Sequence, residues 1–136
     1  MKIRLATIGK IGRLFAAAAS EYERRIRRYI PFEVVSLKDE EPLIDSTHFL
    51  ILCDEGGAKL TSMELARLIS KMMNDGKKEV VFAVGDAEGF SKEAKERADL
   101  LLSISNFTLQ HDISAIVMLE QIYRAFTIIK GEPYHR

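Results

Sequence analysis

His111 and Asp112 are neighbours, and a histidine beside a carboxylate is half of a general-base arrangement. The other half is missing. No serine or cysteine nucleophile motif accompanies them, so they read as a pair in the cap region of a helix. His48, His111 and His135 show no metal-ligand spacing, and no metal is expected. Cys53 is the single cysteine, by default a small buried hydrophobe, and it can form no internal disulfide. The sequence closes on GEPYHR, with Tyr134, His135 and Arg136 at its end. Terminal residues are usually frayed and uninformative. Three groups able to hydrogen-bond or carry charge, placed straight after an apolar helical run, ask for an explanation.

Three further segments attract attention because each follows an apolar run and is rich in glycine or hydrogen-bonding groups: Cys53 to Gly57, Val84 to Gly89 and Ile104 to His111. Gly85 and Gly89 bracket a turn where a backbone can approach a ligand closely. The motif is neither the dinucleotide fingerprint nor a P-loop, and alone it reads as a structural turn in which Glu88 bonds to amides of the next helix. The segment from Ile104 is half apolar and half polar. It reads equally as a buried connection, with Ser105, Asn106 and Thr108 satisfying local backbone groups, or as a pocket wall for a flat heterocycle.

The elements that must position these segments follow from periodicity. Ile3 to Ile8, Phe32 to Leu37, Phe49 to Cys53, Val80 to Val84 and Leu100 to Ile104 read as strands. Leu14 to Ile30 reads as a helix stopped by Pro31. Thr61 and Glu64 have capping-box spacing at the head of a helix reaching about Asn74. Ser91 caps a short helix, and Ile113 to Ile129 forms a long one closed by Gly131. Alternating helices and apolar strands predict an α/β fold, a mostly parallel sheet flanked by helices, in which ligands sit outside the carboxyl ends of the strands.

The 136 residues suit one domain, 1–136. No apolar run approaches the roughly 20 residues of a membrane span, and no signal peptide is visible, so a soluble, cytoplasmic protein without membrane contact is expected. Formal net charge is zero, which argues against DNA or naked RNA as a general partner. Residues 1 to 30 nevertheless carry eight basic residues against two acidic ones, with Arg24, Arg25, Arg27 and Arg28 clustered on the first helix. These read equally as phosphate contacts or as a solvated helix face.

VGDAEGFS at 84–91, FTLQH at 107–111 and LEQIYRAFTIIKGEPYHR at 119–136 resemble the signature segments of the bacterial RlmH family. The likeness is strongest from about residue 80 onward and extends weakly to MKIRLATIGK and the strand before CDEGG. It implies a SPOUT-class methyltransferase with a C-terminal trefoil knot, one of the rare exceptions to unknotted chains. It implies S-adenosylmethionine as cofactor, a homodimer, and methylation at N3 of a pseudouridine in helix 69 of 23S ribosomal RNA on the ribosome. By position, the cofactor would lie against Cys53, Gly85, Ile104, Ser105, Asn106, Phe107, Thr108 and Leu109. Tyr134, His135 and Arg136 would act near the transferred methyl. His135 would accept the N3 proton or position a water that does, and Arg136 would hold phosphate or the anionic base edge. Arg124 reads equally as orienting the tail or binding phosphate, or as forming a surface salt bridge.

Against the family pattern, Asp86 replaces a usual glycine, Ala115 replaces a common basic residue, and 38–47 is short and expected to lack a helix. The dimer is expected to use the apolar side of the last helix, at Ile113, Ile116, Val117, Leu119 and Ile122. The alternative from another class is a non-catalytic RNA- or nucleotide-binding α/β module.

Overall fold

Every side chain from Val80 to Val84 is buried, because this strand lies inside a sheet covered on both faces. A computed structural model describes residues 1–136. In chain order it contains β1 (Lys2–Ile8), α1 (Arg13–Ile26), β2 (Phe32–Leu37), α2 (Glu41–Ile44), β3 (Phe49–Lys59), α3 (Ser62–Asn74), β4 (Glu79–Val84), α4 (Lys92–Arg97), β5 (Leu100–Ser103) and α5 (His111–Ile129). The strands form one sheet in the order β2-β1-β4-β3-β5, and every pairing is parallel.

Alternation divides each strand between two cores. Val80, Phe82 and Val84 pack with Ile3, Leu5 and Ile51 against α1, α3 and α5. Val81 and Ala83 point the other way, with Ala6, Leu50 and Leu52, onto Leu43, Phe90 and Ala94 of the α2 and α4 side. The larger core lies under α5, where Leu119, Ile122 and Ala125 are fully buried. The capping box of α3 forms as the spacing requires, with Thr61 Oγ1 accepting from Glu64 N and Glu64 Oε1 from Thr61 N.

Three elements differ from expectation. Helix α1 ends at Ile26 and not at Ile30. Pro31 O accepts from Ile3 N at 3.0 Å, so residues 27–30 must turn out of the helix to deliver Pro31 to the sheet. The 38–47 segment does contain a helix, the single turn α2, which proline starts and which buries Leu43. Strand β3 continues past Cys53: residues 54–57 bulge out, and Ala58 and Lys59 rejoin β5 opposite Leu102 and Ser103. No helix is long and apolar enough to cross a membrane.

Candidate active site

The three segments singled out in the sequence converge at the carboxyl ends of β3, β4 and β5. They enclose a cavity of about 520 Å³ lined by Cys53, Asp54, Glu55, the 84–89 loop, Lys95 and residues of the 103–111 connection. That volume falls in the roughly 300–1,000 Å³ range of small-molecule sites. Cys53, Gly85, Ile104, Ser105, Phe107, Thr108 and Leu109 all line it, and Asn106 does not. Asn106 lies on the outside of its turn, where Phe107 N donates to Ser105 Oγ at 2.9 Å. Phe107 is 80% exposed, an apolar ring left at the mouth without a partner in its own chain.

Backbone close approach shapes the walls. A Cβ at Gly57 would lie 2.5 Å from the Leu101 carbonyl carbon, so only glycine lets the β3 bulge pass against β5. A Cβ at Gly85 would meet Gly89 and the Phe90 ring, each at 3.3 Å. Gly85 therefore serves the packing of its own loop as well as lining the cavity. Gly89 completes the turn at φ +75°. Glu88 does not bond to the following helix. Glu40 does, accepting from Ser91 N at 3.1 Å and from the Ser91 hydroxyl, while Ser91 Oγ caps Ala94 N.

Burial pushes the Cys53 thiol up to about 12. Its sulfur lies 3.9 Å from Met118 Sδ, so it is a protonated, apolar piece of wall and not a nucleophile. His111 and Asp112 are the cap pair the sequence suggests: Nε2 and Oδ1 are 3.3 Å apart, and Asp112 Oδ2 accepts from Gly12 N at 3.0 Å, tying the start of α1 to the start of α5.

The tail residues gather at the other end of α5. Arg124 Nη1 lies 3.1 Å from His135 Nδ1, and its guanidinium sits 4.8 Å over the Tyr134 ring. Glu120 organises the group. It accepts from Arg124 Nε at 3.0 Å and from the Tyr134 hydroxyl at 3.3 Å, and its hydrogen bond holds the arginine charged and raises its pKa. Burial, with the Glu120 charge, raises the Tyr134 phenol. Sequence reasoning passed over Glu120, although its i to i+4 spacing from Arg124 on a helix was the available signal. Arg136 is exposed and makes no hydrogen bond or ion pair to the rest of the chain.

One chain does not join the two groups. None of Arg124, Tyr134, His135 and Arg136 lines the cavity, and Ser114, which does, precedes Arg124 on the same helix by roughly 15 Å at about 1.5 Å of rise per residue. The basic run of α1 is largely answered by its own acids: Glu21 bonds Arg24 and Arg25, and Glu23 pairs with Arg27. Ala115 is fully buried, so a basic residue there would point into this chain's core.

The family model described as "Predicted SPOUT methyltransferase" matches residues 1–135. The chain belongs to the SPOUT methyltransferase family. It is 40% identical over 152 residues to a protein of Geobacter sulfurreducens named "Ribosomal RNA large subunit methyltransferase H", covering 99% of each chain. A protein of the same name from Thermus thermophilus is 40% identical over 139 residues, covering 100% of this chain and 99% of that one. Among solved structures, a probable methylase family protein from Haemophilus influenzae Rd KW20 superposes with a TM-score of 0.64 at 10% identity, over 98% of this chain and 70% of that one. A putative methyltransferase from Legionella pneumophila, in complex with bound cofactor SAM, gives 0.50 at 16% identity, over 92% and 66%. These likenesses show the fold. The SPOUT fold places the observed cavity in the crevice at the strand ends, where open α/β sheets take ligands.

Proposed function

We propose that this SPOUT methyltransferase transfers a methyl group from S-adenosylmethionine to large-subunit ribosomal RNA in the cytoplasm, with N3 of a pseudouridine in helix 69 as acceptor. Full-length relatives named for the ribosomal RNA reaction support the substrate class. The cavity fits the cofactor in size, in its backbone-lined walls and in the apolar surface offered by Cys53, Val84, Ile104 and Leu109. When bound, the cofactor supplies an activated methyl on its sulfonium, so the chain must align the acceptor, take charge off its edge and exclude water. We include the C-terminal knot in the same reading. It is supported by the convergence of the 54–57, 85–89 and 104–110 segments on one cavity just before α5.

The observation that carries the proposal is the separation of cavity and tail along a single helix. A second copy related by a two-fold axis, with its α5 antiparallel to the first, would set the Arg124–His135 group of one chain at the cavity of the other. The apolar surface for such a homodimer is smaller than the sequence suggests, because Leu119 and Ile122 are spent in their own core. Ile113 at 37% exposure and Leu14 at 86% remain outside it at the cavity end, with Ile116 and Val117 half-buried between.

Arg124 and His135 set the chemistry at the acceptor. A guanidinium only donates, so His135 Nδ1 accepts from Arg124 and its ring proton sits on Nε2. In this arrangement the outward Nε2–H of His135 donates toward a base carbonyl or toward a water that takes the proton. Donation there, together with the fixed positive charge of Arg124 and Arg136, favours the anionic base edge left when N3–H ionises; the proton passes to solvent. The direct test is methylation of large subunits and intact ribosomes with labelled cofactor, followed by mass mapping of the modified nucleotide. Label outside pseudouridine, or on none of the particles, would overturn the assignment.

A further inference from the structure

The cavity is ringed by acid. Asp54, Glu55, Asp86 and Glu88 line it against one cationic side chain, Lys95, whose Nζ is already 3.2 Å from Asp54 Oδ1. Backbone amides hold two of the carboxylates in place: Asp86 Oδ1 accepts from Glu88 N at 3.0 Å and Asp54 Oδ2 from Gly56 N at 3.0 Å. Glu55 and Glu88 are exposed and have no ion-pair partner. His111, the remaining titratable group on the wall besides the cysteine, is answered by Asp112 at 3.3 Å.

Resting on the reading that this cavity holds S-adenosylmethionine, we propose that the rim selects its ligand by charge, favouring the sulfonium cofactor over the neutral thioether product. The two molecules share their adenosine and amino-acid parts and differ by one methyl and one positive charge. A concave wall of one sign focuses its field into the space it encloses, so the added charge gains wherever the sulfur lies within it. Contacts to the shared parts cancel in the ratio of affinities. On transfer the sulfur–methyl bond breaks, its electron pair stays on sulfur and the cation becomes a neutral thioether. The reaction thereby removes the charge that the rim holds, and release of the product becomes easier than release of the substrate cofactor.

Calorimetry of both ligands against wild type, Asp86→Asn and Glu88→Gln tests this without any turnover. Each substitution keeps the shape and removes one charge. Sulfonium affinity should fall about two- to fivefold per charge, the range of exposed charge pairs, with thioether affinity unchanged. Raising salt should weaken sulfonium binding in wild type more than in either variant, since the Debye length falls from about 8 Å at physiological strength to about 3 Å at 1 M. Equal losses for both ligands, or an unchanged ratio in both variants, would overturn the selection while leaving the cavity reading intact. Failure of both ligands to bind wild type would overturn that reading and the selection together.

Discussion

Arg124 Nη1 and His135 Nδ1 are 3.1 Å apart, and this contact decides which nitrogen of the histidine carries a proton. Glu120 fixes the arginine from the other side, with Nε and Nη2 both at 3.0 Å from its carboxylate oxygens. A guanidinium only donates, so Nδ1 is the acceptor in this contact and Nε2 is the nitrogen left to face outward. The carboxylate, the guanidinium and the imidazole act as one positioned unit.

Arg124→Lys tests that unit. Lysine keeps the charge but lacks the planar fork that reaches Glu120 and His135 together. Cofactor affinity should stay within a few-fold of wild type, because residue 124 is not on the cavity wall. Single-turnover methylation of ribosomal particles should fall by about 10², the scale of lost proton-transfer or electrostatic help. Nitrogen chemical shifts of His135 should move away from the Nε2–H tautomer, which tests whether the Arg124 contact sets it. The loss of rate at retained cofactor affinity is what separates a role in the chemistry from a structural one. An unchanged rate would remove Arg124 from the chemistry.

Gly57→Ala addresses the wall. The new Cβ would sit 2.5 Å from the Leu101 carbonyl carbon and 2.6 Å from its oxygen, where only backbone movement relieves the clash. Overpacking of this kind costs about 1–3 kcal/mol, so the urea midpoint should drop and cofactor binding should weaken with it. Gly85→Val should also weaken binding, but by disturbing the 85–90 loop, since a Cβ there meets Gly89 and the Phe90 ring at 3.3 Å, a milder contact than that at Gly57. A stable Gly57→Ala with full affinity would show that the bulge is not fixed as described.

Strands such as Val80 to Val84 were legible because a strand covered on both faces must be apolar throughout, and no turn residue interrupts the run. Thr61 with Glu64 was legible because a capping box is local chemistry. The register of β3 was not: Gly57 looks like a turn residue, and only the backbone of β5, far off in sequence, explains it. Helix α2 was missed since a single turn has too few residues for a period to show. At the site, the convergence of the 53–57, 84–89 and 104–111 segments followed from the rule that ligands sit at strand ends. Glu40 holding Ser91 and the split of cavity from tail both depend on tertiary placement, to which local pattern is blind.

Cys53 gives a pH-dependent readout. Burial raises its thiol from an ordinary 9.0 to about 12. The stabilising contribution is complete below the ordinary value. Between the two values the unfolded chain releases the proton and the folded chain keeps it, so stability falls as pH rises through that window. Tyr29, raised to about 12 mainly by burial and then by its bond to Glu132, acts in the same direction. The difference between wild type and Cys53→Ala in urea titrations at pH 8 and pH 10.5 isolates the thiol: the variant should lose less stability over that interval. Native Cys53 faces the cavity but should react slowly with iodoacetamide at pH 8, because its raised thiol stays protonated there; rapid alkylation would contradict that.

Mixed dimers test whether one site is built from two chains. A chain truncated after Pro133 lacks Tyr134, His135 and Arg136 but keeps every residue of the cavity wall. It should bind the cofactor within a few-fold of wild type and lose methyl transfer by at least about 10². A second variant, Ser105→Trp, places bulk on the wall and should lose cofactor binding while keeping its tail. Each alone should be inactive. After co-refolding, a mixed dimer pairs the intact cavity of the truncated chain with the intact tail of the other, so about half of random dimers should carry one working site. Activity should recover in proportion to the mixed species measured by native mass spectrometry. If tail and cavity of the same chain worked together, mixing would restore nothing. A wild-type protein that sediments as a 15.4 kDa monomer under turnover conditions would exclude the shared site outright.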